Sequence, residues 1–228
     1  MTPNIHTTQM HNARPVTFSS MSRLVTLLGI VSVLTACSLG DHAAAPKPLD
    51  LGAGSSLGAL EGAGGAATLA ALPEMPPIAV PPANSASLLT ETMVVWRVGD
   101  QGQPQGYTTY RWVAPPARLV TQRLVDRLSL QGAVLQQNIG GDIPQLRLNL
   151  QRFEQTFSLD GATSQAQLTL QAVFMRGSEV VGQRLINIRV PAATQDAPGG
   201  ALALRTATDQ AAEQVAQWLT SVRGSKMR

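Results

Sequence analysis

The residue with the most explicit chemistry in this chain is Cys37, its single cysteine. It follows Leu34-Thr35-Ala36, at the end of an apolar run that begins at Leu24. A positive flank at Arg23, a short hydrophobic segment, two small residues and then a cysteine form, in that order, a signal for lipid attachment. The thiol takes a diacylglyceryl group, the chain is cut between Ala36 and Cys37, and the new amino terminus is acylated, commonly with palmitate. Small residues at 35 and 36 let the cleavage pocket close around the backbone. The run from Leu24 to Leu34 is too short to cross a bilayer, which takes ~20 apolar residues. Residues 1–36 are therefore expected to be a signal peptide. Met21-Ser22-Arg23 is a sufficient amino-terminal region by itself, so residues 1–20 read as an upstream extension from a misplaced start codon.

Beyond Cys37 the chain offers little to catalysis. His6, His11 and His42 are the only histidines and all precede the folded part. From residue 43 onward there is neither imidazole nor thiol, which removes zinc sites built on them and Ser-His-Asp or Cys-His nucleophiles. Lys47 and Lys226, the only lysines, lie towards the ends. Glu154 beside Arg152 is a lone carboxylate with no second acid placed near it by sequence. Arg123 and Asp126 read as a helix-surface pair. No cofactor, no metal and no enzymatic activity are expected. Trp112 followed by Pro115-Pro116 is a candidate partner-docking edge, since an aromatic on a rigid turn makes a good anchor; the competing and preferred reading buries Trp112 under the helix it introduces. Trp218, Phe153 and Phe157 read as core.

Charge narrows the partners. The net charge is +3, with a pI near 9.6, but the arginines are spread along the chain, so nucleic acid is not an expected partner. Residues 37–74 combine the lipidated cysteine with a Gly/Ala/Pro-rich stretch, and no aromatic residue occurs in them. They read as a flexible tether that would hold a domain ~30–35 Å from the membrane. A folded domain is expected over 75–223 and a disordered tail over 224–228.

Within that domain Met75–Val80, flanked by proline pairs, suits an edge strand. Met93–Val98 and Tyr107–Trp112 pair as a hairpin across a glycine-containing loop; Met93–Val98 is a further edge open to a partner strand. A helix opens at Pro115-Pro116, buries Ala117, Val120, Leu124 and Leu128, and ends at Gly132. A short strand follows around Ala133–Gln136. Alternating leucines give a strand over Gln145–Leu150, whose phase changes at Phe153, so a bulge is expected near Gln151-Arg152. Gln165–Met175 and Glu179–Val190 alternate likewise across a Gly177-Ser178 turn. After Pro198-Gly199-Gly200, a helix places Leu204, Ala207, Ala211, Val215, Trp218 and Val222 on one face. The expected fold is α+β, an antiparallel sheet with two amphipathic helices on one face, a two-layer sandwich.

The order of these pieces resembles the ABC-type transport auxiliary lipoproteins, which include the lipoprotein of the paraquat-inducible (Pqi) intermembrane transport system. The matching parts are Cys37, then Leu49-Asp50-Leu51-Gly52 and the proline-rich first strand. Tyr110-Arg111-Trp112-Val113-Ala114-Pro115-Pro116 leads into the first helix, and Phe153-Glu154-Gln155-Thr156-Phe157, the hairpin around Arg176-Gly177-Ser178, and Ala207, Ala211 and Trp218-Leu219 follow. The resemblance implies a non-catalytic component of a lipid-moving machine. Its anchor would be the outer membrane, through the acyl chains on Cys37. Ser38, rather than an aspartate, favours that membrane. Its partner would be the mammalian-cell-entry (MCE) domain protein that spans the periplasm beneath an ABC-type transporter; homo-oligomerisation is left open. The alternatives are an assembly or pilot lipoprotein of another trans-envelope complex and, disfavoured by the missing histidine, a lipoprotein hydrolase.

Overall fold

The computed structural model describes residues 44–52, 74–136 and 143–225. Cys37, Ala36 and most of the expected tether lie outside them. Residues 45–228 cluster as one compact unit, within which β-strands and two helices follow the alternation of apolar residues read above.

Three long strands make the frame: β7 (Gln145–Phe157), β8 (Ser164–Arg176) and β9 (Glu179–Pro191). They pair antiparallel in sequence order. Leu146, Leu148, Leu150, Leu168, Leu170, Phe174 and Ile186 point to one face and are buried. Arg147, Asn187 and Arg189 on the other face are exposed, as expected of a sheet covered on one side. Strand β7 carries its register shift between Leu150 and Arg152. Gln151 is the extra residue, and it moves the inward phase from even to odd positions, so Phe153 is buried in its turn. At the β8–β9 turn Gly177 takes φ +57°, a conformation glycine adopts without steric cost.

The other edge of β7 is shared by short strands placed end to end. The early strands are β1 (Lys47–Leu49), β2 (Ile78–Ala79), β3 (Asn84–Ser85), β4 (Met93–Val98) and β5 (Gln105–Trp112), followed by β6 (Val134–Leu135). Strands β2, β3 and β4 all run parallel to β7, while β4 and β5 form the expected antiparallel hairpin. The sheet is therefore mixed rather than antiparallel. The cause is the chain path: after β5, helix α1 (Pro116–Ser129) carries the chain to the end where β7 begins, so β7 enters beside β4 in the same sense.

Two strands read as edges are internal. Strand β2 lies between β6 and β7, and β4 lies between β5 and β7. Ile78, Ala79 and Val80 carry free N–H groups between two proline pairs, and each N–H donates, to the carbonyls of Ala133, Pro144 and Leu135 at 3.0, 2.8 and 2.7 Å. The prolines therefore fall where no donor is needed. The sheet also recruits residues read as tether. Strand β1 adds parallel to β5, with Lys47 beside Tyr110 and Leu49 beside Trp112, and Leu51 is buried in the core.

Helix α2 (Ala197–Ser225) packs with α1 against this face. Its inward stripe is largely alanine, including Ala203, Ala207, Ala211 and Ala216, so a good helix former also brings the helix axis close to the sheet. Pro198-Gly199-Gly200 lies inside the first turn rather than ahead of it. Asp196 caps that turn, its Oδ1 accepting from the Gly199 N–H at 2.8 Å. Gly200 is required by contact: a Cβ there would meet Gln155 Oε1 at 2.2 Å. At its other end α2 runs through Ser225, into the stretch expected to be a disordered tail. Helix α1 stops at Ser129, before Gly132. Gly132 instead admits the incoming strand, since a Cβ would lie 1.9 Å from the Met75 carbonyl oxygen.

The helices are locked side by side by two ion pairs in matching steps. Arg123 meets Asp209 and, one turn on, Arg127 meets Glu213 at 2.6 Å. Equal steps on both helices make them parallel. Arg123 does not pair with Asp126, as its spacing suggested. Its side chain is 2% exposed and also donates to the carbonyls of Leu51 and Gly52 at 2.6 and 2.8 Å. Asp126 accepts instead from Gln122 at 2.8 Å.

Candidate docking surface

Of the candidate docking residues, Trp112 is 3% exposed and its ring lies 5.6 Å from that of Phe153. It is core, and so is Pro116. Both are withdrawn from the surface at the turn that was read as presenting them: Pro115, in extended conformation, is the N-cap of α1, while the Trp112 ring packs on Phe153 inside. Pro115 alone remains partly open. It borders a groove of about 540 Å³ with Val80, Ala83, Leu89, Arg118 and Thr121. Thr121 Oγ1 holds that groove's floor, accepting from the Ala83 N–H at 3.1 Å and donating to the Ala117 carbonyl at 2.7 Å.

A second groove, of about 570 Å³, lies at the end of the sandwich where β4 and β7 finish and β5 begins. Trp96, Val98, Tyr107, Thr108, Phe157 and Gln195 border it. The rings pack on one another, Trp96 on Phe157 at 5.8 Å edge-on and on Tyr107 at 6.1 Å, with Tyr107 on Tyr110 at 6.4 Å. Trp96 is brought beside Gln155 of β7 by the parallel pairing of β4, a crossing that sequence spacing does not reveal. The Tyr107 hydroxyl donates to Gln155 Oε1 at 2.9 Å, and Gln155 Nε2 donates to Ser164 at 2.7 Å. Burial, with the nearby Asp196 carboxylate second, pushes the Tyr107 hydroxyl up to about 12. On the rim Leu159 is 87% exposed, carried by the Asp160-Gly161 turn, where Gly161 takes φ +70°.

Behind this end, on the uncovered face of the sheet, lies a charge network. Glu154, 3% exposed, meets Arg97 at 2.6 Å and also Arg152. Arg152 reaches Asp100 at 3.5 Å, and Arg189 reaches it at 3.3 Å. The Gln167 amide, at 2.8 Å, holds Asp100 below the usual carboxylate range, with Arg189 and Arg152 adding to it. Glu154 thus does gain a second carboxylate, through Arg152 rather than directly. The two acids are bridged by arginines and have their hydrogen bonds met within the network, so the arrangement stiffens the β4–β5 turn. Among the described residues, no three His, Cys, Asp or Glu side chains gather as a metal site, and no helix is long and apolar enough to cross a membrane.

A family model described as the ABC-type transport auxiliary lipoprotein component matches residues 59–216. The chain belongs to this family. Both grooves of this auxiliary lipoprotein are bordered mainly by residues within the matched span. In fold the auxiliary lipoprotein is similar to the crystal structure of protein XCC0632 from Xanthomonas campestris, assigned to the family model DUF330. That match has a TM-score of 0.61 at 20% identity and covers 69% of this chain and 92% of that one. A second similar crystal structure, of an uncharacterized protein, gives a TM-score of 0.56 at 16% identity, over 65% of this chain and 95% of that one. Comparison with the curated proteins gives no match. The family description makes the auxiliary lipoprotein a component of an ABC-type transport system.

Proposed function

We propose that this chain is the lipid-anchored, non-catalytic component of an ABC/MCE-type intermembrane lipid transport system, and that it docks the periplasm-spanning MCE-domain protein at the outer membrane. The observation that carries this reading is the family match across residues 59–216 on a chain whose Cys37 stands directly behind a lipid-attachment signal. Acyl chains contribute ~0.8 kcal/mol per buried methylene, so a triacylated Cys37 anchors a domain of this size without any spanning helix. Among the described residues, Asp196 caps a helix turn and Glu154, Asp209 and Glu213 are taken up in ion pairs, which is in keeping with a passive role.

The MCE partner docks on the groove beside Pro115. That position keeps the expectation placed on the Trp112-to-Pro116 turn, reduced to the part that reaches the surface. Arg118 lines the groove from α1 and is exposed, which makes it the least disruptive place for a test. Affinity purification of the full chain from its native envelope should carry an MCE-domain protein with it, and Arg118→Glu should cut that recovery at least about tenfold, as loss of a hot-spot contact does. Recovery of a secretion-channel protein instead would favour a pilot lipoprotein, and unchanged recovery with Arg118→Glu would remove the partner from this groove.

A further inference from the structure

The position of β1 changes the length of the anchor. If residues 37–74 were one tether, the domain would have free play over tens of ångströms. Strand β1 instead ties Lys47 beside Tyr110, only ten residues after Cys37. A chain of that length spans ~17 Å on average and ~35 Å at full stretch. Because β1 runs parallel to β5, the chain leading back to Cys37 leaves from the side of β5 where that strand starts. That is the end that carries the aromatic groove. Through β5 and β4, Lys47 lies near the level of Phe153, so the end where β7 finishes is ~13 Å away and the end where it begins ~26 Å; the average tether reaches the first and not the second.

We infer that the end of the sandwich formed by Trp96, Val98, Tyr107, Phe157 and Leu159 rests in the interfacial zone of the bilayer that holds the acylated Cys37. The surface has the composition such a place demands. Trp and Tyr present an apolar body with a polar tip and collect at membrane interfaces, and here Trp96 and Tyr107 stand half-buried at the mouth of an open groove. Val98 is 39% exposed and Leu159 87%, two apolar side chains open at this end. The neighbouring charges set the depth. Asp160 and Asp196 are held ionised, the first by the Ser158 hydroxyl and the Ala162 N–H, the second by the Thr194 hydroxyl and the Gly199 N–H. Neither enters hydrocarbon, so the contact is shallow and stops at the boundary between headgroups and acyl chains. Asp100 is paired with Arg152 and Arg189, so its charge is met within the chain.

Because this placement depends on the proposed acylation of Cys37, the test separates the two. The acylated full chain is reconstituted into vesicles of phosphatidylethanolamine and phosphatidylglycerol with brominated acyl chains, and tryptophan emission is compared with that in unbrominated vesicles. Trp112 and Trp218 are buried and serve as internal references. Emission from Trp96 should be quenched about twofold or more, as for a side chain seated at the acyl boundary. The quenching should vanish in Trp96→Phe and weaken in Leu159→Asp. A protein that floats with the vesicles while Trp96 stays unquenched and open to aqueous iodide overturns the inference and leaves lipid anchoring intact. If Trp96 is shielded from iodide only after the MCE-domain protein is added, the surface binds protein and the inference also falls. If the chain does not float at all, the anchor itself fails, and this contact with it.

Discussion

Arg123 binds three separate parts of the molecule with one guanidinium. It reaches Asp209 on α2 and the carbonyls of Leu51 and Gly52, so it ties the amino-terminal segment to both helices. Removing it strands two buried carbonyls and a carboxylate. Arg123→Leu should lower unfolding free energy in urea by about 2 kcal/mol, less than a fully buried pair would because Asp209 is a third exposed. Arg127→Leu, whose pair with Glu213 is more open, should cost under about 1 kcal/mol. The residue pattern could not have shown this. Spacing offered Asp126 as the partner, while the true one lies 86 residues away; an ion pair between helices depends on how they are docked, which local periodicity does not encode. Tyr107 gives a second residue-scale test. Its hydroxyl is raised to about 12 against ~10 in an unfolded chain. The neutral form is thus favoured by the fold. The stability this contributes is fully present below pH ~10 and lost as pH rises from there through about 12. Denaturation midpoints measured across that window should fall less steeply for Tyr107→Phe than for the wild-type chain.

At the scale of elements, the bulge in β7 and the first turn of α2 can each be tested. Because Gln151 is the extra residue of the bulge, deleting it leaves Leu150 and Phe153 on the same face of β7, now in unbroken alternation. The deletion variant should therefore keep the near-ultraviolet circular dichroism that comes from Trp112 packed on Phe153, along with its far-ultraviolet signal, and loss of the former would contradict this register. Gly200→Ala places a Cβ on Gln155, which Tyr107 and Ser164 hold in place; a loss of roughly 2 kcal/mol in urea unfolding is expected for such overpacking. The period-two apolar residues of β7, β8 and β9 and the stripe of α2 were legible because each face of an element is set by its own residues. Strand β1 was not. Lys47-Pro48-Leu49 is too short to show a period, and its place is decided by a free edge on β5. The parallel entry of β7 was equally hidden, since strand sense follows from the path of α1 rather than from any residue within β4 or β7.

For the whole molecule, the candidate surfaces follow the same division. The lipidation proposed for Cys37 rests on a linear pattern read on the unfolded chain. Trp112 and Pro116 drew attention as a local motif and proved to be core. Trp96, Tyr107 and Phe157 come from three places in the sequence and meet only when β4 crosses to β7. Anchoring should depend on the linear signal alone: Cys37→Ala should leave the fold unchanged by circular dichroism and release the protein from the membrane pellet into the soluble envelope fraction. The most direct measurement of the central claim is affinity purification of the acylated full chain from its native envelope, with mass spectrometry of what accompanies it. The account predicts an MCE-domain protein together with ABC-type transporter subunits, lost in parallel when the periplasm-spanning partner is deleted. Consistent recovery of another trans-envelope complex, with the MCE protein absent, would contradict it.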